Sequence, residues 1–131
     1  MKDFVTFELA KKLKEKGYPQ RPDYFNYSSY YAWDGLRKIH SLSNASVWFD
    51  PNISRENIYF APTISQVLKW LRDKKNLYCL PFFEQGIDLW LYAICKPSCG
   101  IEFPEFISES DYDTYEQSAI AGIEYALDNL I

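Results

Sequence analysis

The sequence offers few residues for nucleophilic or metal chemistry. His40 is the only histidine, and no G-x-S-x-G signature accompanies any serine. Cys95 and Cys99 have a spacing found in zinc sites, but a structural site needs four ligands, and only Cys79 and His40 remain as candidates. Cysteines in apolar strand segments are more often small buried residues. We therefore predict a non-enzymatic protein with no catalytic residues, no metal and no cofactor, and keep an enzyme of unrecognised type as the least favoured alternative.

Acidic residues are concentrated in the last part of the sequence. From Pro97 to Ile131 there are eight Asp or Glu residues and no Lys or Arg, while the net charge of the chain is −4. Asp111, Asp113 and Glu116 flank the start of a predicted helix, where carboxylates complement the helix dipole. Such charge asymmetry indicates an interaction face for a basic protein partner, or neutralisation between two parts of the fold.

The aromatic content of 18% permits two interpretations. Aromatic side chains suit sheet surfaces and cores, but they also stack on nucleic-acid bases. Tyr30, Tyr31 and Trp33 in the stretch YYAW are candidates for stacking, and the runs KKLKEK and KWLRDKK could contact phosphates. The low sequence pI, about 5.0, argues against a nucleic-acid partner. Nucleic-acid binding is therefore possible but not favoured over binding to another protein.

The length and composition predict a single α+β domain over residues 1–131. The start of the sequence is too charged for a secretory signal, and no apolar run approaches the length of a membrane span. The three cysteines are few and odd in number, which does not fit a disulfide framework. We therefore expect a cytoplasmic protein with reduced thiols and no membrane partner; the sequence indicates no particular oligomeric state.

The beginning of the chain predicts a helix over residues 7–16. Thr6 is a suitable N-cap, and the apolar residues that follow have helical spacing. Gly17 can adopt the left-handed conformation that ends a helix, which lets Tyr18 fold back on Leu13. The next proline prevents the helix from continuing.

A hairpin signal follows at Asp34-Gly35, which predicts strands over about 27–33 and 36–41. A further short strand is predicted at Ser46–Phe49. Asn57–Ala61 is predicted to be extended, because a residue that precedes proline is disfavoured in helix.

Two later helices share a start signal. T-x-x-Q capping boxes at Thr63–Gln66 and Thr114–Gln117 predict helices over 64–75 and 115–130. The first has one apolar stripe and a basic end, which complements its exposed carbonyl groups. Small residues in the second would let it lie close to a sheet; they are Ala119, Gly122 and Ala126.

A second hairpin is predicted between these helices. The runs 77–83 and 87–95 are rich in strand-forming residues, and Pro81 places the first run at a sheet edge or at a bulge. Ile101–Phe103 is predicted to pair briefly afterwards. The sequence thus predicts antiparallel hairpins with two amphipathic helices packed on one face and an additional N-terminal helix.

The order of these segments resembles a family of small uncharacterised proteins encoded by phages, prophages and other mobile elements of gut bacteria. The resemblance is carried by FVTFELAKKLKEKGY, YYAWDG, APTISQVLKWLRDKKNLY and DTYEQSAIAGIEYALDNL. It implies an accessory protein of a mobile element that acts in the host cytoplasm, and it transfers no catalytic residues. The last segment also resembles the half-fold of HicB-type antitoxins, in which strands precede a helix that opens with T-x-E-A, although a HicB-like motif would stand near the start of the chain.

Overall fold

The computed structural model describes residues 4–20, 29–32, 51, 53–96 and 106–131. These residues form an α+β fold with three α-helices and five strands. The chain divides into two compact units, one formed by Lys2–Thr63 and the other containing Ile64–Ile131. The predicted turn at Asp34-Gly35 and the predicted strands 36–41, 46–49 and 101–103 lie outside the described residues.

The first unit contains helix α1, Phe7–Glu15, at the predicted place. The hydroxyl of Thr6 accepts a hydrogen bond from the backbone N–H three residues later, at 3.2 Å, which confirms the N-cap. Gly17 has a φ of +92°. The N–H of Tyr18 donates to the carbonyl of Leu13 at 2.9 Å, so the helix ends in the predicted way.

A two-stranded antiparallel sheet completes the first unit. Strand β1, Tyr30–Ala32, pairs with strand β2, Ile58–Phe60. The predicted extended segment Asn57–Ala61 is confirmed at Ile58–Phe60, whereas Asn57 ends a 3-10 helix, Arg55–Asn57. The pairing of this segment with β1 was not anticipated. Helix α1 packs against β2, and the side-chain oxygen of Gln20 accepts a hydrogen bond from the Phe60 N–H at 2.9 Å.

The second unit contains the predicted hairpin. Strands β3, Tyr78–Glu84, and β4, Leu89–Cys95, are antiparallel, and β5, Phe106–Ile107, adds to the other side of β4. The turn between β3 and β4 spans residues 85–88 and is longer than predicted. Its last residue, Asp88, has a φ of +55°. Asp and Asn tolerate this left-handed conformation better than most residues.

Helices α2, Ile64–Lys75, and α3, Tyr115–Asn129, pack against this hairpin, which confirms the predicted fold class. The hydroxyl of Thr114 accepts from the N–H of Gln117 at 3.1 Å, as expected of the second capping box. The predicted small residues of α3 are all buried against the hairpin. Within the described residues, none of the helices is both long and apolar enough to cross a membrane.

Pro81 lies in β3, an outer strand of its sheet, as predicted. Its cross-strand partner Tyr92 donates its N–H to the Ser108 hydroxyl and accepts from the Ser108 N–H, both on the side of β4 that faces away from β3. In an antiparallel pair the opposing residues then share no ladder bond. The missing N–H of Pro81 therefore falls on the open edge of the sheet, where it costs no hydrogen bond.

Candidate interaction groove

A shallow, open groove of about 420 Å³ lies along the first three turns of α3. Predicted site residues Asp111 and Asp113 line it at one end, and Glu124 adds a third carboxylate. The sequence analysis missed Glu124, although it stands one helical turn after Ile120 and so lies on the same helix face. The complete lining is Asp111, Tyr112, Asp113, Gln117, Ile120, Ala121 and Glu124.

Backbone pairing holds the acidic end of the groove in place. Tyr112 exchanges two backbone hydrogen bonds with Trp90 of β4, at 2.8 and 2.7 Å. The N–H of Asp113 donates to the side-chain oxygen of Gln117 at 3.1 Å. The backbone that carries Asp111 and Asp113 is thus hydrogen-bonded to a strand on one side and to a helix on the other, which holds this segment beside the groove.

The groove carries negative charge only. Asp111 and Asp113 are exposed and Glu124 is half-exposed. No Lys or Arg lines the groove, and within the described part of the chain none of these three carboxylates takes part in an ion pair. Glu116, the remaining predicted acidic residue, is half-buried in the first turn of α3 and does not line the groove.

The predicted stacking residues occupy a different position from the one expected of a binding surface. Tyr30 is fully buried, and its ring packs against Phe60 with a centroid distance of 5.5 Å. The Tyr31 hydroxyl donates to the Val5 carbonyl at 2.8 Å, and burial raises the pKa of Tyr31. Trp33 lies outside the described residues. The enclosed Tyr30 ring therefore offers no free stacking platform, while Tyr31 is half-buried and its ring makes an edge contact with Phe7 at a centroid distance of 5.6 Å.

One lysine of the basic run in α1 makes hydrogen bonds within the first unit. The Lys14 ammonium donates to the carbonyls of Glu56 and Ile58, both at 3.0 Å, and lies 4.8 Å from the centroid of the Tyr59 ring. Burial lowers the pKa of Lys14, and the nearby Glu56 carboxylate opposes this shift. A lysine held by two carbonyls is less available to phosphates than the sequence pattern suggests.

The basic residues of α2 lie at the surface, and Lys69 and Lys75 contact other residues of the same helix. Lys69 forms an ion pair with Asp73 one turn later. Lys75 lies 5.4 Å from the centroid of the Trp70 ring. These contacts fit a solvated helix face, and they do not form a groove for a nucleic-acid strand.

The described cysteines are buried thiols. Burial, with a contribution from Cys95, raises the pKa of Cys79 to about 12. A thiol with this pKa is protonated near neutral pH and is a poor nucleophile. No group of three or more His, Cys, Asp or Glu side chains suited to a metal occurs among the residues that the structure describes. His40 and Cys99, the other candidates, fall outside that part of the chain.

Comparison of the chain with protein-family profiles, curated proteins and solved structures finds no match. The resemblance to mobile-element proteins remains an expectation from the sequence.

Proposed function

We propose that this chain is a non-enzymatic interaction protein whose groove along α3 binds a basic segment of a partner protein. The observation that supports this proposal is the convergence of Asp111, Asp113 and Glu124 around an apolar wall. Potentials that are complementary across an interface steer encounter and select partners.

The composition of the groove defines the partner chemistry. Ile120, Ala121 and the ring of Tyr112 form apolar lining between the carboxylates. A partner segment with Lys or Arg on both sides of an apolar side chain would pair its cations with the carboxylates and pack its apolar side chain on the apolar lining. Exposed ion pairs contribute about 0–1 kcal/mol each and are screened by salt, so we expect weak binding that falls as ionic strength rises.

The expected setting of this interaction comes from the sequence resemblance. An accessory protein of a mobile element would meet its partner, a host or phage protein, in the host cytoplasm. Nucleic-acid binding is the less favoured alternative, because Tyr30 is buried and Lys14 is bonded to backbone carbonyls.

Titration with a fluorescein-labelled peptide of alternating Arg and Leu residues tests the proposal, with fluorescence anisotropy as the readout. The groove variant combines D111N, D113N and E124Q. The control variant combines E84Q, D88N and E109Q, which removes equal charge from exposed positions outside the groove. We expect the groove variant to weaken binding at least tenfold and the control variant to change it less than twofold.

Equal weakening in the two variants would show that net charge alone attracts the peptide, and it would overturn the proposal. Circular dichroism checks that both variants remain folded. A labelled oligonucleotide serves as a second probe. If the protein binds the oligonucleotide in a salt-sensitive way and does not bind the peptide, the nucleic-acid alternative is correct.

A further inference from the structure

A second, smaller cleft lies at the outer edge of β3, between α2 and the start of α3. Its volume is about 270 Å³, and it is more enclosed than the acidic groove. None of its residues lines that groove, so its role is independent of the proposed function. The lining is Leu68, Arg72, Tyr78, Cys79, Leu80, Pro81 and Tyr115.

Arg72 is the only charged residue of this lining. Its side chain is 46% exposed, and its Nε lies 3.9 Å from a carboxylate oxygen of Asp73, at the outer limit of an ion pair. Asp73 is paired with Lys69, and the hydrogen bond from Lys69 is the main reason that the pKa of Asp73 is lowered. Because Lys69 already balances the Asp73 charge, Arg72 retains positive charge for another anion.

The rest of the lining is neutral. Leu68, Leu80 and Pro81 provide apolar surface. Burial keeps the Cys79 thiol protonated and also raises the pKa of Tyr115, so neither group repels an anion near neutral pH. Phenol hydroxyl groups can donate hydrogen bonds to a carboxylate.

We propose that this cleft binds a small organic carboxylate, with the carboxylate on Arg72 and an apolar body against Leu68, Leu80 and Pro81. The guanidinium fork matches a carboxylate in shape and charge. A cavity of about 150 Å³ holds a benzene ring, and drug-sized ligands use about 300–1,000 Å³. A volume of about 270 Å³ therefore suits a single ring or a short acyl chain with its acid group.

Isothermal titration of the full chain with benzoate tests this inference. We expect saturable binding with one site per chain. R72M should weaken the binding at least tenfold, because it removes the cation and keeps an unbranched apolar side chain. K74M is the matched control, since Lys74 is an exposed cation of the same helix that does not line the cleft; it should change the affinity less than twofold.

Two further probes separate the contributions of charge and apolar contact. Benzyl alcohol lacks the carboxylate and inorganic phosphate lacks the apolar body, so each should bind at least tenfold more weakly than benzoate. L80E places a carboxylate in the cleft at a position that is 41% exposed, where folding tolerates it, and it should abolish benzoate binding. Absence of benzoate binding to the parent chain, unchanged affinity in R72M, or equal affinity for inorganic phosphate would each overturn the proposal.

Discussion

Gly122 of α3 lies directly against the side chain of Cys79 in β3. A Cβ atom at position 122 would stand 2.5 Å from the Cys79 sulfur and 3.0 Å from Cγ of Tyr92, closer than packed atoms approach. Overpacking a core costs about 1–3 kcal/mol, while replacing a helical glycine by alanine gains about 1 kcal/mol. Because a contact of 2.5 Å falls in the upper part of the overpacking range, we expect G122A to lower the free energy of unfolding by about 1–2 kcal/mol in urea denaturation.

Position 86 supplies the control for this prediction. A Cβ atom at Gly86 would meet no atom within 4 Å, so G86A should change stability by less than about 0.5 kcal/mol. Combining G122A with C79A removes the closest contact and should recover part of the loss. If G122A is as stable as the parent chain, the helix does not lie as close to the strand as described.

The N-cap of α3 is expected to support both stability and the groove. T114A removes the hydroxyl that accepts from Gln117 N–H, and loss of such a cap costs about 1 kcal/mol. The same change loosens the residues next to Asp113, so peptide affinity should fall together with thermal stability. T114S keeps the hydroxyl and is the control. Equal stability of the alanine and serine variants would argue against the cap.

Lys14 is predicted to act as a structural residue of the first unit. K14M removes two hydrogen bonds to the carbonyls of Glu56 and Ile58. The hydrogen bond to Ile58 is partly buried, and loss of the partner of a buried carbonyl costs about 1–3 kcal/mol, whereas the hydrogen bond to Glu56 is exposed and contributes less. K11M is the control, because the contact of Lys11 within the described residues is one of 5.8 Å with the centroid of the Phe7 ring. Chemical denaturation should show a loss for K14M at least twice that for K11M.

Stability is expected to fall in alkaline solution. In the folded chain the pKa of Cys79 is raised from 9.0 to about 12, so above pH 9 the unfolded thiol loses its proton while the folded thiol keeps it. The unfolded state then binds fewer protons, and the free energy of unfolding decreases by up to about 1.4 kcal/mol per pH unit for this group. Tyr92, with a pKa raised from 10.0 to about 12, adds to the decrease above pH 10.

Urea denaturation between pH 9 and pH 10 measures the contribution of Cys79. C79A should show a shallower dependence of stability on pH than the parent chain. I94V is the control, because it alters the buried cross-strand partner of Cys79 and introduces no titratable group. A parent slope that survives in C79A would assign the proton release to other groups.

Local signals in the sequence predicted the helices well. Thr6, Gly17 and Thr114 act within one turn of their own positions, so the chemistry of each residue is sufficient to locate a helix end. The strong turn and strand signals of the β3–β4 hairpin are likewise local. These elements need no knowledge of distant residues.

Features that depend on distant residues escaped prediction. The pairing of Tyr30 with Phe60 joins segments far apart in the sequence, and no local pattern encodes that choice. The hydrogen bonds from Lys14 to the carbonyls of Glu56 and Ile58 were not predicted for the same reason, because these residues lie far from Lys14 in the sequence. For the groove, the charges of Asp111 and Asp113 were visible in the sequence, but the apolar wall beside them required the helix to be placed against the hairpin.

The position of Pro81 bears on how copies of this protein behave when they are crowded together. An approaching strand that sought to extend the sheet at β3 would find no amide hydrogen at the middle of that edge. Phe83, which is 45% exposed nearby, is the kind of residue that would otherwise favour such growth. A proline at this edge position thus disfavours extension of the sheet by a strand of another copy.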